Sequence, residues 1–167
     1  VRQSNSTILK VADVQAMKAL GRALGEALLM PSRQAIVVAI RGDLGAGKTT
    51  LVGGVLNGVG FKGNARSPTY TLIEPYETPQ RHFYHLDLYR LADPREVEAL
   101  GLRDLLTSDS ALLIEWPERG EGVLPVADLA ISIDYSAGDT REVSLAAQTA
   151  AGEEVLRKVL EVRSDSR

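Results

Sequence analysis

Apolar residues recur at helical spacing early in the chain. Val14, Met17, Leu20, Leu24 and Leu28 share one face over residues 13–30, and Asp13 stands where an N-cap belongs. A short unbroken apolar run follows at 35–40 (AIVVAI), the pattern of a strand buried on both faces. After a glycine-rich stretch, Leu51, Val55, Leu56 and Val59 resume helical spacing over 48–59, although Gly53, Gly54 and Gly58 weaken that helix by propensity. Residues 67–76 read as a loop and then a strand, and 82–91 as a second strand. Between them 77–81 (ETPQR) suits a hairpin turn.

Asp93-Pro94-Arg95-Glu96 opens the next helix with an acidic cap, a proline at the first turn and a glutamate able to reach back. That helix carries Val97, Leu100, Leu105 and Leu106, with a break near Gly101. The run 111–118 (ALLIEWPE) is an apolar strand ending in a carboxylate. Residues 128–135 alternate like a strand, 136–140 form a turn, and 141–149 return as an antiparallel partner. A final amphipathic helix covers 152–162. Strands interleaved with helices, without repeats or a linker, predict one α/β domain over residues 1–167, its ordered core about 7–162. The expected architecture is a three-layer α/β/α arrangement with a mixed parallel and antiparallel sheet.

Composition narrows the functions. The 167 residues suffice for one core, and 44% hydrophobic with 25% charged residues fits a folded protein. A formal net charge of -3 supplies no global positive field to draw in RNA unaided. Without cysteine there is no disulfide framework and no thiolate metal site, so a metal would fall to oxygen ligands and two histidines. No apolar run approaches the roughly 20 residues of a membrane span. Asp13, Lys18, Arg22 and Glu26 interrupt the apolar residues near the start, against a signal peptide. The expectation is a cytoplasmic protein that engages no membrane.

The strongest chemical signal is Gly42-Asp43-Leu44-Gly45-Ala46-Gly47-Lys48-Thr49, followed by Thr50, which matches the phosphate-loop pattern G-x-x-x-x-G-K-[ST]. Glycines let the backbone curl so that successive N–H groups point at phosphate oxygens, and the next helix aims its positive end at the same anion. Lys48 would reach the β- and γ-phosphates, and the Thr49 hydroxyl would ligate Mg²⁺. The setting between a buried strand and a helix supports the match.

Two acids compete to complete a metal site. Glu115 ends a buried strand and is assigned the metal role, through a water. Asp87 is then a group that orients or deprotonates the attacking water, or a second outer carboxylate. Tyr84, Leu86 and Leu88 make the apolar side of its strand, while His85, Asp87 and Tyr89 share the other. His85 reads as a structural hydrogen-bonder rather than a base. Trp116, the only tryptophan, could be core, a lid or a partner anchor. Ser67 and Thr69 could sense the γ-phosphate as a switch segment, or serve turn chemistry beside Pro68.

The segments GDLGAGKTT, SPTYTLIEPY, HLDLYRLADP and IEWPERG, in this order and at these separations, resemble the TsaE (YjeE) family over roughly residues 10–150. The resemblance implies a weak Mg²⁺-dependent cytoplasmic ATPase that binds ATP and ADP. It implies partnership with the TsaD and TsaB proteins, which place threonylcarbamoyl on adenosine in tRNA, and with tRNA indirectly through that complex; direct contact with tRNA stays open. It further implies that Asp87 and Lys48 are needed for hydrolysis, that Thr49 and Glu115 hold Mg²⁺, and that Trp116 lies near nucleotide or partner. Gln15 and Arg141 are similar in position to adenine contacts. Two other classes stand beside this one: a small-molecule kinase, with Arg66, Arg90, Arg95 or Arg103 as lid arginines, and a nucleotide-binding switch without useful hydrolysis. Lys62 and Arg66 could add a basic patch within a complex.

Overall fold

The computed structural model describes residues 5–63, 65–68 and 70–167. Seven strands form one sheet: β1 (Ser6–Val11), β2 (Ile36–Gly42), β3 (Ile73–Glu77), β4 (His82–Asp87), β5 (Ser110–Glu115), β6 (Leu129–Tyr135) and β7 (Arg141–Ala147). Their order is β1-β7-β6-β2-β5-β4-β3. The strands β6, β2, β5 and β4 run parallel, and antiparallel pairs β6–β7, β7–β1 and β3–β4 finish the two sides, so the sheet is mixed.

The parallel centre is why β2 and β5 carry unbroken apolar runs: both of their faces are covered. Ile36, Val38 and Ile40 of β2, with Ala111 and Leu113 of β5, pack on one side, under helices α1 (Val14–Leu28), α2 (Lys48–Gly58) and α5 (Ala150–Asp165). Val37, Leu112 and Ile114 pack on the other side, under two single-turn helices, α3 (Glu96–Ala99) and α4 (Leu102–Leu105). This is the expected three-layer α/β fold.

Several local expectations hold with a clear physical cause. The Ala16 N–H donates to Asp13 Oδ1 at 2.8 Å, capping α1. The Asp93 N–H donates to Glu96 Oε1 at 3.1 Å and the Arg95 N–H to Asp93 Oδ1 at 2.8 Å, the expected reciprocal bonds, but they close the turn before α3, which starts at Glu96 behind Arg95 with no side-chain cap. Gly101, with φ +69°, separates α3 from α4.

Other expectations need correction. The edge strand β1 was not anticipated, because its alternation is weak and most of its positions are at least partly exposed. Val14 is 57% exposed rather than part of the core face: as the first residue of α1 it borders an open hollow beside Gly45 to Gly47. The strand β4 stops at Asp87, where the Asp87 carboxylate accepts the Tyr89 N–H at 3.0 Å and turns the chain; Leu88 and Tyr89 lie beyond it.

The three glycines that weaken α2 on propensity have different neighbours. A Cβ on Gly54 would lie within 3.0 Å of the Lys18 carbonyl, and one on Gly58 within that distance of the Arg22 carbonyl; Gly21 and Gly25 of α1 meet the α2 backbone in the same way. Close backbone approach of the two helices, not helix termination, accounts for these residues. Gly53 faces Ala65 instead, at ordinary contact distance.

Candidate functional site

Strand β2 delivers the chain to Gly42, and the loop closes on α2 at Lys48. Gly45 (φ +78°) and Gly47 (φ +115°) adopt left-handed backbone that a side chain would strain. The Ala46 N–H donates to Asp43 O at 3.0 Å within the turn. The three long helices differ at their first turns. Asp13 caps α1 and Thr149 caps α5, whereas α2 begins at Gly47 with no side-chain cap. Its leading N–H groups therefore take no side-chain cap, the condition that makes a helix start a ready site for an anion.

Lys48 is buried and makes three contacts with its three donors. Its Nζ donates to Gly42 O at 2.5 Å and to Asp43 O at 2.9 Å, and lies 4.3 Å from the centroid of the Trp116 ring. Burial pushes the ammonium below its ordinary value, against the opposing pull of Glu115, Asp87, Glu118 and Asp43. Trp116 reaches this position from a left-handed backbone (φ +57°) directly after β5.

The two acids meet because β4 and β5 are parallel and in register, with Asp87 opposite Glu115. Both side chains fall on the face covered by α2. Thr49 Oγ1 donates to Glu115, at 3.0 Å from Oε1 and 3.2 Å from Oε2. His85 Nε2 lies 2.5 Å from Glu115 Oε2, and both residues are buried. Ser67 Oγ donates to Asp87 Oδ2, tying the loop before β3 to the end of β4. A cavity of about 370 Å³ opens between these groups, walled by Lys48, Thr49, Ser67, Asp87, Glu115 and Trp116. Gly45, Gly47 and Thr50 border it too, with Leu44, 64% exposed, at the rim.

The remaining expected residues divide. Arg141 reaches the loop: its Nε donates to Ala46 O at 3.2 Å, and its guanidinium lies 4.3 Å from the Tyr135 ring. A smaller hollow of about 80 Å³ lies here, between Arg141, Gly45 to Gly47 and the first turn of α1. Asp13, the cap of α1, borders it with Val14 and Met17 of that helix; Gln15 is exposed and does not line it. Thr69 lies outside the described residues. Sequence reasoning missed Tyr135, whose hydroxyl donates to Leu44 O at 2.7 Å and braces the loop from the β6–β7 end of the sheet. It also missed Tyr89 as a cavity wall, and it named Arg90, which borders the cavity too, only as a lid arginine of a kinase. No local signal marks these residues, because strand pairing and chain turns bring them to the loop.

A hydroxyl and a carboxylate, already within hydrogen-bonding distance beside a lysine and an anion-ready helix start, suit a hard cation held jointly with a polyphosphate. No group of three His, Cys, Asp or Glu able to hold a metal occurs among the described residues. Thr49 and Glu115 offer the oxygen donors that a hard cation such as magnesium prefers.

The profile of the family "Threonylcarbamoyl adenosine biosynthesis protein TsaE" matches residues 11–143, a span that holds the loop, Asp87, Glu115 and Arg141. A Haemophilus influenzae protein, tRNA threonylcarbamoyladenosine biosynthesis protein TsaE, is 48% identical over 147 residues, covering 87% of this chain and 92% of that relative. A Bacillus subtilis protein of the same name is 39% identical over 111 residues, 66% of this chain and 69% of the relative. The crystal structure of Bacillus subtilis YdiB superposes with a TM-score of 0.74 over 98% of this chain and 99% of that one, at 24% identity, a likeness of fold. The chain belongs to the TsaE family of threonylcarbamoyl adenosine biosynthesis proteins.

Proposed function

We propose that this chain is an ATP-binding and ATP-hydrolysing subunit required for threonylcarbamoyladenosine modification of tRNA. It acts in the cytoplasm with TsaD and TsaB and drives turnover of their complex; it does not transfer the threonylcarbamoyl group. The observation that carries this reading is the uncapped start of α2, wrapped by the loop 42–49 and facing Lys48, Thr49 and Glu115. Family membership supplies the pathway.

Each side chain has a task in this reading. The loop amides and Lys48 bind the triphosphate, with Lys48 exchanging its two carbonyl partners for phosphate oxygens. Thr49 and Glu115 hold Mg²⁺, which when bound neutralises charge on the β- and γ-phosphates. Asp87, steadied by Ser67 and the Tyr89 N–H, orients the attacking water and accepts its proton. Trp116 covers the Lys48 side of the cavity. Arg141 and the hollow beside it take the nucleoside end.

A kinase of small molecules has less support. Of its candidate lid arginines, Arg95 is held by Asp93 at 2.6 Å, away from the cavity, and only Arg90 borders the cavity.

The test is ATP hydrolysis by the purified chain with and without TsaD–TsaB, beside Lys48→Ala. Turnover is expected to be slow alone, to rise with the partners, and to vanish in Lys48→Ala. Calorimetry in millimolar Mg²⁺ that detects no uptake of ATP or ADP would overturn the reading.

A further inference from the structure

His85 lies in β4 two residues before Asp87 and is completely buried. Its Nε2 sits 2.5 Å from Glu115 Oε2. Its other nitrogen, Nδ1, is buried and has no hydrogen-bond partner among the described residues. A histidine kept for packing or for holding strands together would be expected to satisfy both nitrogens, because an unmet buried polar atom costs stability. This one spends its single polar contact on the carboxylate that faces Thr49. With Glu115 as acceptor, Nε2 is the donor and the tautomer is set by that bond.

Glu115 needs such a tether. A glutamate has three side-chain torsions, and Thr49 Oγ1 lies almost equally far from its two oxygens, at 3.0 and 3.2 Å, so the hydroxyl alone does not choose between them. The histidine does choose. It holds Oε2 from inside the fold and leaves Oε1, the nearer oxygen to the Thr49 hydroxyl, on the cavity side.

We propose that His85 is a positioning residue for the magnesium site: it pins Glu115 Oε2 so that Oε1 is presented beside the Thr49 hydroxyl. The inference rests on the assignment of Thr49 and Glu115 to Mg²⁺ made above. Groups that orient a metal ligand in this way commonly change metal affinity or activity 10–100-fold when removed.

The experiment measures ATP binding to the full chain by calorimetry across a Mg²⁺ titration and again in EDTA. The variants are His85→Phe, which keeps the ring and loses the donor, and His85→Gln, whose amide nitrogen can reach the place of Nε2. His85→Phe is expected to raise the Mg²⁺ midpoint about 10-fold, to leave binding in EDTA unchanged, and His85→Gln to restore most of the loss. If His85→Phe does not fold, His85→Asn, whose amide falls short of Glu115, takes its place. An unchanged midpoint in the loss variant overturns the proposal, as does equal weakening with and without Mg²⁺, the mark of a merely structural role. If the wild-type chain binds ATP equally well in Mg²⁺ and in EDTA, the magnesium assignment itself fails and takes this inference with it. If it does not bind ATP in either condition, the wider ATP reading fails.

Discussion

One face of the sheet is covered by three long helices, and the other by two single turns and connecting chain. On the first, α1 and α2 approach so closely that Gly21, Gly25, Gly54 and Gly58 leave no room for a methyl group between backbones. On the second, Leu88, Leu91, Val97 and Leu102 cover β4 and β5, while Ala130, Ser132, Ser144 and Ala146 of β6 and β7 remain partly open. The difference bears on the site. The glycine-rich loop, Lys48 and Thr49 belong to the helix-covered face, where the backbone has nowhere to go. Trp116, Tyr89 and Arg90 come from turns that lead out of the sheet, beyond the ends of β5 and β4. A cradle on tightly packed helices is thus joined to a wall of turns.

Substitutions on the two faces can break this comparison. The largest effect is expected from Gly54→Ala. Helix propensity alone would favour alanine by about 1 kcal/mol, but the new methyl meets the Lys18 carbonyl, which no rotamer can move aside. We expect a net loss of about 3 kcal/mol in urea denaturation, at the upper end of overpacking costs. Stability equal to or above wild type would show that the helices can part. Next comes Asp128→Ala. This buried carboxylate accepts from the Val37 N–H at 2.7 Å, Thr149 Oγ1 at 2.7 Å and Gln34 Nε2 at 3.3 Å, joining the start of β2 to the cap of α5. Leaving the Val37 N–H unmet should cost about 2 kcal/mol in the same assay. Gly120→Ala, on the open face, should cost about 1 kcal/mol or less, because the methyl meets the Leu124 and Leu88 side chains, which can repack. If Gly120→Ala proved as damaging as Gly54→Ala, the two faces would be equally rigid.

The order in which these features can be read from the sequence follows their range along the chain. The loop 42–49 is legible because its chemistry is contiguous: glycines, lysine and threonine must be neighbours to act together. The strands bearing Asp87 and Glu115 are legible from their apolar lead-ins, but their meeting depends on the β4–β5 register, which no local pattern states. His85 shows the same gap. From its position in the strand it reads only as a hydrogen-bonder, and its partner lies 30 residues away. The glycines of α2 mislead for a related reason. Propensity reads Gly54 and Gly58 as weak points, while their cause is a helix whose contact residues, Lys18 and Arg22, lie 36 positions earlier and must come within backbone contact. The strand β1 is hidden for the opposite reason: as a half-exposed edge it needs little hydrophobic pattern.

The smallest expected effect lies on the open face, in the turn that leads into α3. Asp93 is held below the ordinary carboxylate range by its side-chain bond with Arg95, helped by the Arg95 N–H. A carboxyl depressed on folding adds stability that is fully present above its unfolded value, and that stability is lost as pH falls through the folded value. Asp93→Asn keeps an oxygen able to cap the Arg95 N–H and removes only the charge. Wild type should therefore exceed the variant slightly near neutral pH, and the two should converge as pH drops below about 4. Because the pair is exposed, 0.5 M salt should shrink the difference as well. Thermal midpoints measured across pH 2–7 at low and high salt decide this. A gap that persisted at pH 2 would mean that Asp93 acts through its shape in that turn, and that the open face owes nothing to this ion pair.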